Sequence, residues 1–132
     1  MKKTIVFLCV ENSCRSQMAE AFAKINSSGQ YNIQSAGSRP SGTVNPKAIN
    51  SMSRVGYDLN THHSKGIETL PMDGIEAMIS MGCGDACPQV PAKQRIEWEI
   101  ADPKDMEHEE FDKVRDIIQA KVENFLESLD NG

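Results

Sequence analysis

A thiol opens and a guanidinium with a hydroxyl closes the octapeptide Cys9-Val10-Glu11-Asn12-Ser13-Cys14-Arg15-Ser16. Cys9 is placed to be a nucleophile. Arg15 can clamp two oxygens of a tetrahedral anion through its planar fork, which a lysine cannot do with the same geometry. Ser16 can donate a hydrogen bond to a sulfur anion. If the loop joins a strand to a helix, the backbone N–H groups of Val10, Glu11, Asn12, Ser13 and Cys14 converge on one concavity, backed by the positive end of the helix dipole. Such a cup favours a bound oxyanion and a thiolate at Cys9. Cys14, small and turned toward the core, reads as structural.

Three further groups have the types for chemistry. Asp102 can act as a general acid toward an oxygen leaving the bound anion, or can simply be a turn residue before Pro103. Cys83 and Cys87, separated by Gly84-Asp85-Ala86, can pass oxidation from Cys9 outward by thiol–disulfide exchange, or can join His62 or His63 in a zinc site. No second CxxC or His-x₃-His spacing completes such a site, so no metal is expected. The histidines otherwise read as loop or surface residues, and the seven methionines as core filler.

Patterning supplies the elements that must hold these groups. Thr4–Leu8 is an apolar run, followed by Met18, Phe22 and Ile25 at helical spacing with Glu20 and Lys24 as an i,i+4 pair. Tyr31–Ser35 alternates as a strand, and Asn45-Pro46 starts a helix with Ile49, Met52 and Val55 on its apolar face and Gly56 at its end. A short helix is predicted around residues 65–70. Strands are predicted at 77–81, where Glu76 interrupts the apolar run, and at 95–100. A long amphipathic helix follows at 106–129 with Phe111, Val114, Ile118, Val122, Phe125 and Leu129 inward. Strands one and three are apolar throughout, as in a sheet's middle, whereas two and four alternate. The expectation is one α/β domain over residues 1–132, doubly wound, with four parallel strands in the order 2-1-3-4 between helices. That order gathers Cys9, Cys83 and Asp102 at the carboxyl rim of the sheet.

The composition bounds the partners. The 132 residues carry 14 Lys and Arg against 19 Asp and Glu, a net charge of −5, which disfavours nucleic acid and anionic membrane surfaces. The first apolar run is too short for a signal-peptide core, and no segment reaches spanning length. The expectation is a cytoplasmic monomer whose four cysteines rest as thiols.

The C-x₅-R-S loop resembles that of low-molecular-weight protein tyrosine phosphatases. From Lys3 to about Ala120 the chain resembles, more specifically, their thioredoxin-coupled arsenate reductase branch. Residues 12–20, Ser35-Ala36-Gly37, Val44-Asn45-Pro46-Lys47-Ala48, Met81-Gly82-Cys83, Cys87-Pro88 and Asp102-Pro103 carry that likeness. The resemblance implies a low-molecular-weight phosphatase-like fold and arsenate held by the loop amides and Arg15. It implies attack by Cys9 kept ionised by Ser16, and protonation of the departing hydroxyl by Asp102. It further implies a Cys9–Cys83 and then a Cys83–Cys87 disulfide, recycled by thioredoxin without a bound cofactor. Asn12, Glu20 and Ser35 match a potassium site of some members, but its further carboxylate aligns with Lys65, whose ammonium would replace the ion; potassium is therefore not counted as a cofactor. Two other functions compete: a phosphatase for phosphotyrosine or small phosphoesters, and a non-catalytic oxyanion-binding or thiol-sensing module. Lys104-Asp105-Met106 after Asp102-Pro103 lacks the tyrosines of a phosphotyrosine cleft, and hydrolysis leaves Cys83 and Cys87 without a task.

Overall fold

The computed structural model describes residues 2–71, 73–82 and 91–131. Four parallel strands, β1 (Lys3–Cys9), β2 (Tyr31–Gly37), β3 (Ile75–Ser80) and β4 (Gln94–Glu97), form one sheet in the order β2-β1-β3-β4. Helix α1 (Arg15–Ser27) crosses from β1 to β2, α2 (Pro46–Ser53) lies in the next crossover, and α3 (His108–Asn131) follows the last strand.

The central strand explains the layering. Ile5, Val6, Phe7 and Leu8 are all buried, because a strand between two parallel neighbours has helices or loops over both faces. Side chains alternate, so Ile5 and Phe7 enter a large core with Met18, Phe22, Met52, Ile79, Phe111 and Ile118, drawn from α1, α2, α3 and β3. Val6 and Leu8 enter a smaller core on the other face with Ala36, Leu70, Ile75 and Met78. The crossover from β2 to β3 thus contributes to both faces: α2 to one, Leu70 to the other.

The strand order is the one the pattern predicts; several boundaries differ. β3 begins at Ile75, because Glu76 is an extra residue between the pairs Thr4↔Ile75 and Ile5↔Ala77. This bulge absorbs the interruption instead of ending the strand, and it lets Ile75 and Met78 face the same core. β4 stops at Glu97, since β3 ends opposite at Ser80 and the Trp98 N–H bond to Ser80 O is the last rung. Trp98 and Ile100 are nevertheless buried on the predicted side. The short helix expected around 65–70 is a single 3-10 turn, Ile67–Thr69, and a second such turn, Leu59–Thr61, lies in the stretch read as loop.

Two residues assigned to apolar faces are exposed. Ile25 is 49% accessible, because the buried stripe of α1 runs through Met18, Ala19, Ala21, Phe22 and Ala23. Val55 is 42% accessible and lies past α2, in a turn closed by Tyr57 N–H to Met52 O and Gly56 N–H to Ser53 O. Gly56, at φ 84°, supplies the left-handed residue that this ending requires.

Candidate active site

Five carbonyls build the cup. Ser38 N–H bonds to Cys9 O, Arg39 N–H to Val10 O, Ser41 N–H to Glu11 O, Gln17 Nε2 to Asn12 O and Asn45 N–H to Ser13 O, at 2.7–3.2 Å. A trans peptide sets its N–H opposite its carbonyl. Anchoring these carbonyls to the surrounding protein therefore turns the N–H groups of Val10, Glu11, Asn12, Ser13 and Cys14 the other way. Cys14, at the N-cap of α1, makes no side-chain capping bond, and the first turn of α1 holds no acidic residue. The helix thus offers its positive end to an anion without an internal competitor.

Asn12 makes the bend. Its φ of 51° is a left-handed conformation that few side chains tolerate. The side chain secures it: Oδ1 accepts from Lys65 N–H and Gln17 Nε2, both at 2.8 Å, and Nδ2 donates to Ser16 Oγ at 2.8 Å and Ser35 Oγ at 3.0 Å. Gly37 supports the loop from behind, where a Cβ would lie 2.6 Å from Val10 O and 2.8 Å from Asn12 N.

The nucleophile sits at the end of this network. Cys9 Sγ is buried and 2.8 Å from Ser16 Oγ. Ser35 donates its hydroxyl proton to Glu20 and accepts from Asn12, and Asn12 donates to Ser16. Asn12 thus occupies one lone pair of Ser16 Oγ and leaves the hydroxyl proton free, so Ser16 can donate to the Cys9 sulfur. Burial works against charge on Glu20, but hydrogen bonds from Lys24 and Ser35 and the nearby Lys65 ammonium outweigh it and hold its pKa below the ordinary glutamate value. Lys65 Nζ stands 3.5 Å from Glu20 Oε1, 3.3 Å from Ser35 Oγ and 3.2 Å from His63 O. Burial pushes the Cys14 thiol up to about 12, so this second sulfur of the loop stays protonated.

Arg15 is almost fully buried. Its Nη1 donates to Ile100 O at 2.9 Å, and its Nη2 lies 3.7 Å from Asp102 Oδ2. Asp102 also accepts from Lys104 N–H at 3.1 Å, so it is a turn residue and a rim residue at once. Lys104 Nζ reaches Glu11 Oε2 at 3.1 Å, and Lys47 Nζ holds the carbonyls of Lys104 and Met106. The structure thus brings Cys9, Arg15, Ser16, Asp102 and the loop amides together. Cys83 and Cys87 lie outside the described residues. Met81 N–H bonds to Leu8 O at 2.8 Å, so the chain runs beside the end of β1 two residues before Cys83.

Two residues of the network escaped the sequence reading. Gln17 donates to Asn12 O, Asn12 Oδ1 and His63 O, leaving its Oε1 to accept from His62 Nδ1 at 2.9 Å. His62 Nε2 then accepts from Tyr57 OH at 2.6 Å. His62 is a buried, neutral histidine, its pKa lowered by burial against the opposing pull of Glu20, and not a surface residue. With both ring nitrogens engaged it is not poised as a zinc ligand, and among the described residues no group of three or more Cys, His, Asp or Glu side chains is arranged to hold a metal ion. Nothing in its sequence neighbourhood signals this burial.

The family model for low molecular weight phosphotyrosine protein phosphatase matches residues 4–132. The chain belongs to this family. Within the low molecular weight phosphatase family it is 42% identical over 128 residues to an arsenate reductase of Staphylococcus aureus, covering 94% of this chain and 96% of that one. A solved arsenate reductase in its phosphate-binding state superimposes with a TM-score of 0.87 at 36% identity, covering 96% of this chain and 98% of that one. A thioredoxin-dependent arsenate reductase of Corynebacterium glutamicum superimposes with a TM-score of 0.80 at 26% identity, covering 98% of this chain and 62% of that one. Among the described residues, no helix is long and apolar enough to cross a membrane.

Proposed function

We propose that the protein reduces arsenate to arsenite, with Cys9 as nucleophile and Cys83 and Cys87 as an internal dithiol recycled by thioredoxin. The observation that carries the chemistry is the 2.8 Å contact of the Ser16 hydroxyl with the Cys9 sulfur, beside a loop whose carbonyls are anchored to the surrounding protein. The likeness to an arsenate reductase at 42% identity supports arsenate as the oxyanion, and the C. glutamicum relative supports thioredoxin as the donor.

Arsenate seats on the amides of Val10 to Cys14 and the Arg15 fork. The Cys9 thiolate attacks arsenic, forming an S–As bond, while Asp102 gives a proton to the departing hydroxyl, which leaves as water. Cys83 attacks the Cys9 sulfur; the S–As electron pair passes to arsenic, which leaves as arsenite, and a Cys9–Cys83 disulfide remains. Cys87 attacks Cys83, freeing Cys9 as thiolate. The thioredoxin dithiol then supplies two electrons to the Cys83–Cys87 bridge. Such a cycle suits a cytoplasmic monomer in a reducing milieu.

Arsenate and phosphate share charge and shape, so the same cup supports phosphoester hydrolysis as a second reading, with water in place of Cys83. An oxyanion receptor without turnover is a third. Arsenate-dependent NADPH consumption with thioredoxin and its reductase, run beside a chromogenic phosphoester, decides among them. If the protein quenched after one arsenate turnover still had Cys83 and Cys87 reduced and unlinked to Cys9, the reductase reading would be wrong.

A further inference from the structure

Among the described residues five glycines have positive φ: Gly29, Gly42, Gly56, Gly74 and Gly82. At the first four a Cβ would meet nothing within 4 Å, so the turn alone accounts for each glycine. Gly82 differs. A Cβ on it would overlap Arg15 Nη1, and would lie 3.1 Å from Cζ and 3.3 Å from Nη2. The whole fork of Arg15 occupies the place a side chain at position 82 would take.

We infer that Gly82 is a positioning residue for Arg15, holding by its missing side chain the orientation in which the guanidinium meets an oxyanion. The guanidinium lies between the backbone leaving β3 at Gly82 and the Ile100 carbonyl after β4, to which Nη1 donates at 2.9 Å. Asp102 Oδ2 stands 3.7 Å from Nη2. An added methyl group is relieved most cheaply by swinging the flexible end of Arg15 away. That motion breaks the bond to Ile100 and misdirects the fork, while the rest of the fold stays in place. A substitution at Gly82 therefore acts on anion binding separately from its effect on the turn.

This inference rests on the reading of Arg15 as the oxyanion clamp, and the experiment separates the two. Inorganic phosphate affinity and melting temperature are measured for the full-length wild type, Gly82→Ala and Gly74→Ala. Gly74, at φ 77° with open space at its Cβ position, reports the cost of positive φ alone. The expected result is similar loss of melting temperature in both variants. Phosphate affinity should fall about ten-fold or more in Gly82→Ala, the scale of a lost charge-assisted hydrogen bond, and stay within about two-fold of wild type in Gly74→Ala. Gly82→Asn repeats the measurement with a residue that tolerates left-handed φ. In an Arg15→Ala background, Gly82→Ala should cost no further affinity. Undiminished phosphate binding by Gly82→Ala, equal loss in Gly74→Ala, or failure of both position-82 variants to fold while Gly74→Ala folds would each overturn the inference. Wild type that binds no phosphate would overturn the clamp reading itself.

Discussion

Ser16 Oγ lies 2.8 Å from Cys9 Sγ, and its proton is free to point there because the Asn12 side-chain amide donates to the same oxygen. At the far end Ser35 accepts from the same amide and donates to the buried Glu20 carboxylate. A chain of side chains from the sheet and from α1 thus leaves Ser16 with a proton to offer the Cys9 sulfur.

Removing that donor should weaken the nucleophile without moving it. Ser16→Ala is expected to slow alkylation of Cys9 by iodoacetamide at neutral pH by about ten-fold, the scale of a hydrogen bond to a charged group. Mass-spectrometric counting of labelled Cys9 against time checks this; an unchanged rate would show that the hydroxyl does not donate to the sulfur.

The cysteines should separate by step. Cys9→Ser is expected to abolish arsenate reduction and phosphoester hydrolysis alike. Cys83→Ser and Cys87→Ser should stop multiple turnover with arsenate while leaving any phosphoester hydrolysis intact. Equal loss of both activities in all three variants, measured side by side, would argue against the relay.

Lys65 places an ammonium among Glu20, Ser35 and the His63 carbonyl. Exchanging potassium for sodium is therefore expected to leave wild-type arsenate reduction and melting temperature unchanged. Lys65→Met should lower stability by roughly 2 kcal/mol, since Glu20 keeps Lys24 but loses its second cation. Thermal melts in the two salts test both statements.

Asp112 pins α2 to α3. It accepts from Arg54 Nε at 2.7 Å and from Ser51 Oγ at 2.5 Å. The Arg54 hydrogen bond leads in lowering its pKa from 3.8 to about 2, with Ser51 and Arg115 adding to it against burial. A carboxylate depressed in the folded state stabilises above its unfolded pKa and loses that contribution as pH falls through the folded one. The stability advantage of wild type over Asp112→Asn, roughly 1–2 kcal/mol after allowance for solvent screening, should be intact at neutral pH and vanish between about pH 4 and 2. Urea titrations followed by the single Trp98, packed against Phe7 and Phe125, measure it.

Much of this arrangement is legible in the chain because it is local or periodic. The apolar β1, the loop from Cys9 to Ser16, the Asn45-Pro46 helix start and the inward residues of α3 follow from spacing and from the chemistry of single side chains. Spacing alone misjudged the ends of β3 and β4, because a bulge at Glu76 and the end of a partner strand are properties of pairs of strands. It also misjudged Ile25 and Val55, whose helical spacing is sound but whose places lie beyond the reach of the core.

The sequence by itself determined that a thiol, a guanidinium and a hydroxyl share one strand-to-helix loop, and that a four-stranded parallel sheet carries it. Only the tertiary structure decided that Asn12 joins Ser16 to Ser35, that His62 is buried beside Gln17, and that Gly82 makes room for Arg15. The reason is physical. Hydrogen-bond networks and steric exclusion depend on partners such as Ser35, Tyr57 and Ile100, which stand far from the loop in the chain and meet it only when the sheet closes.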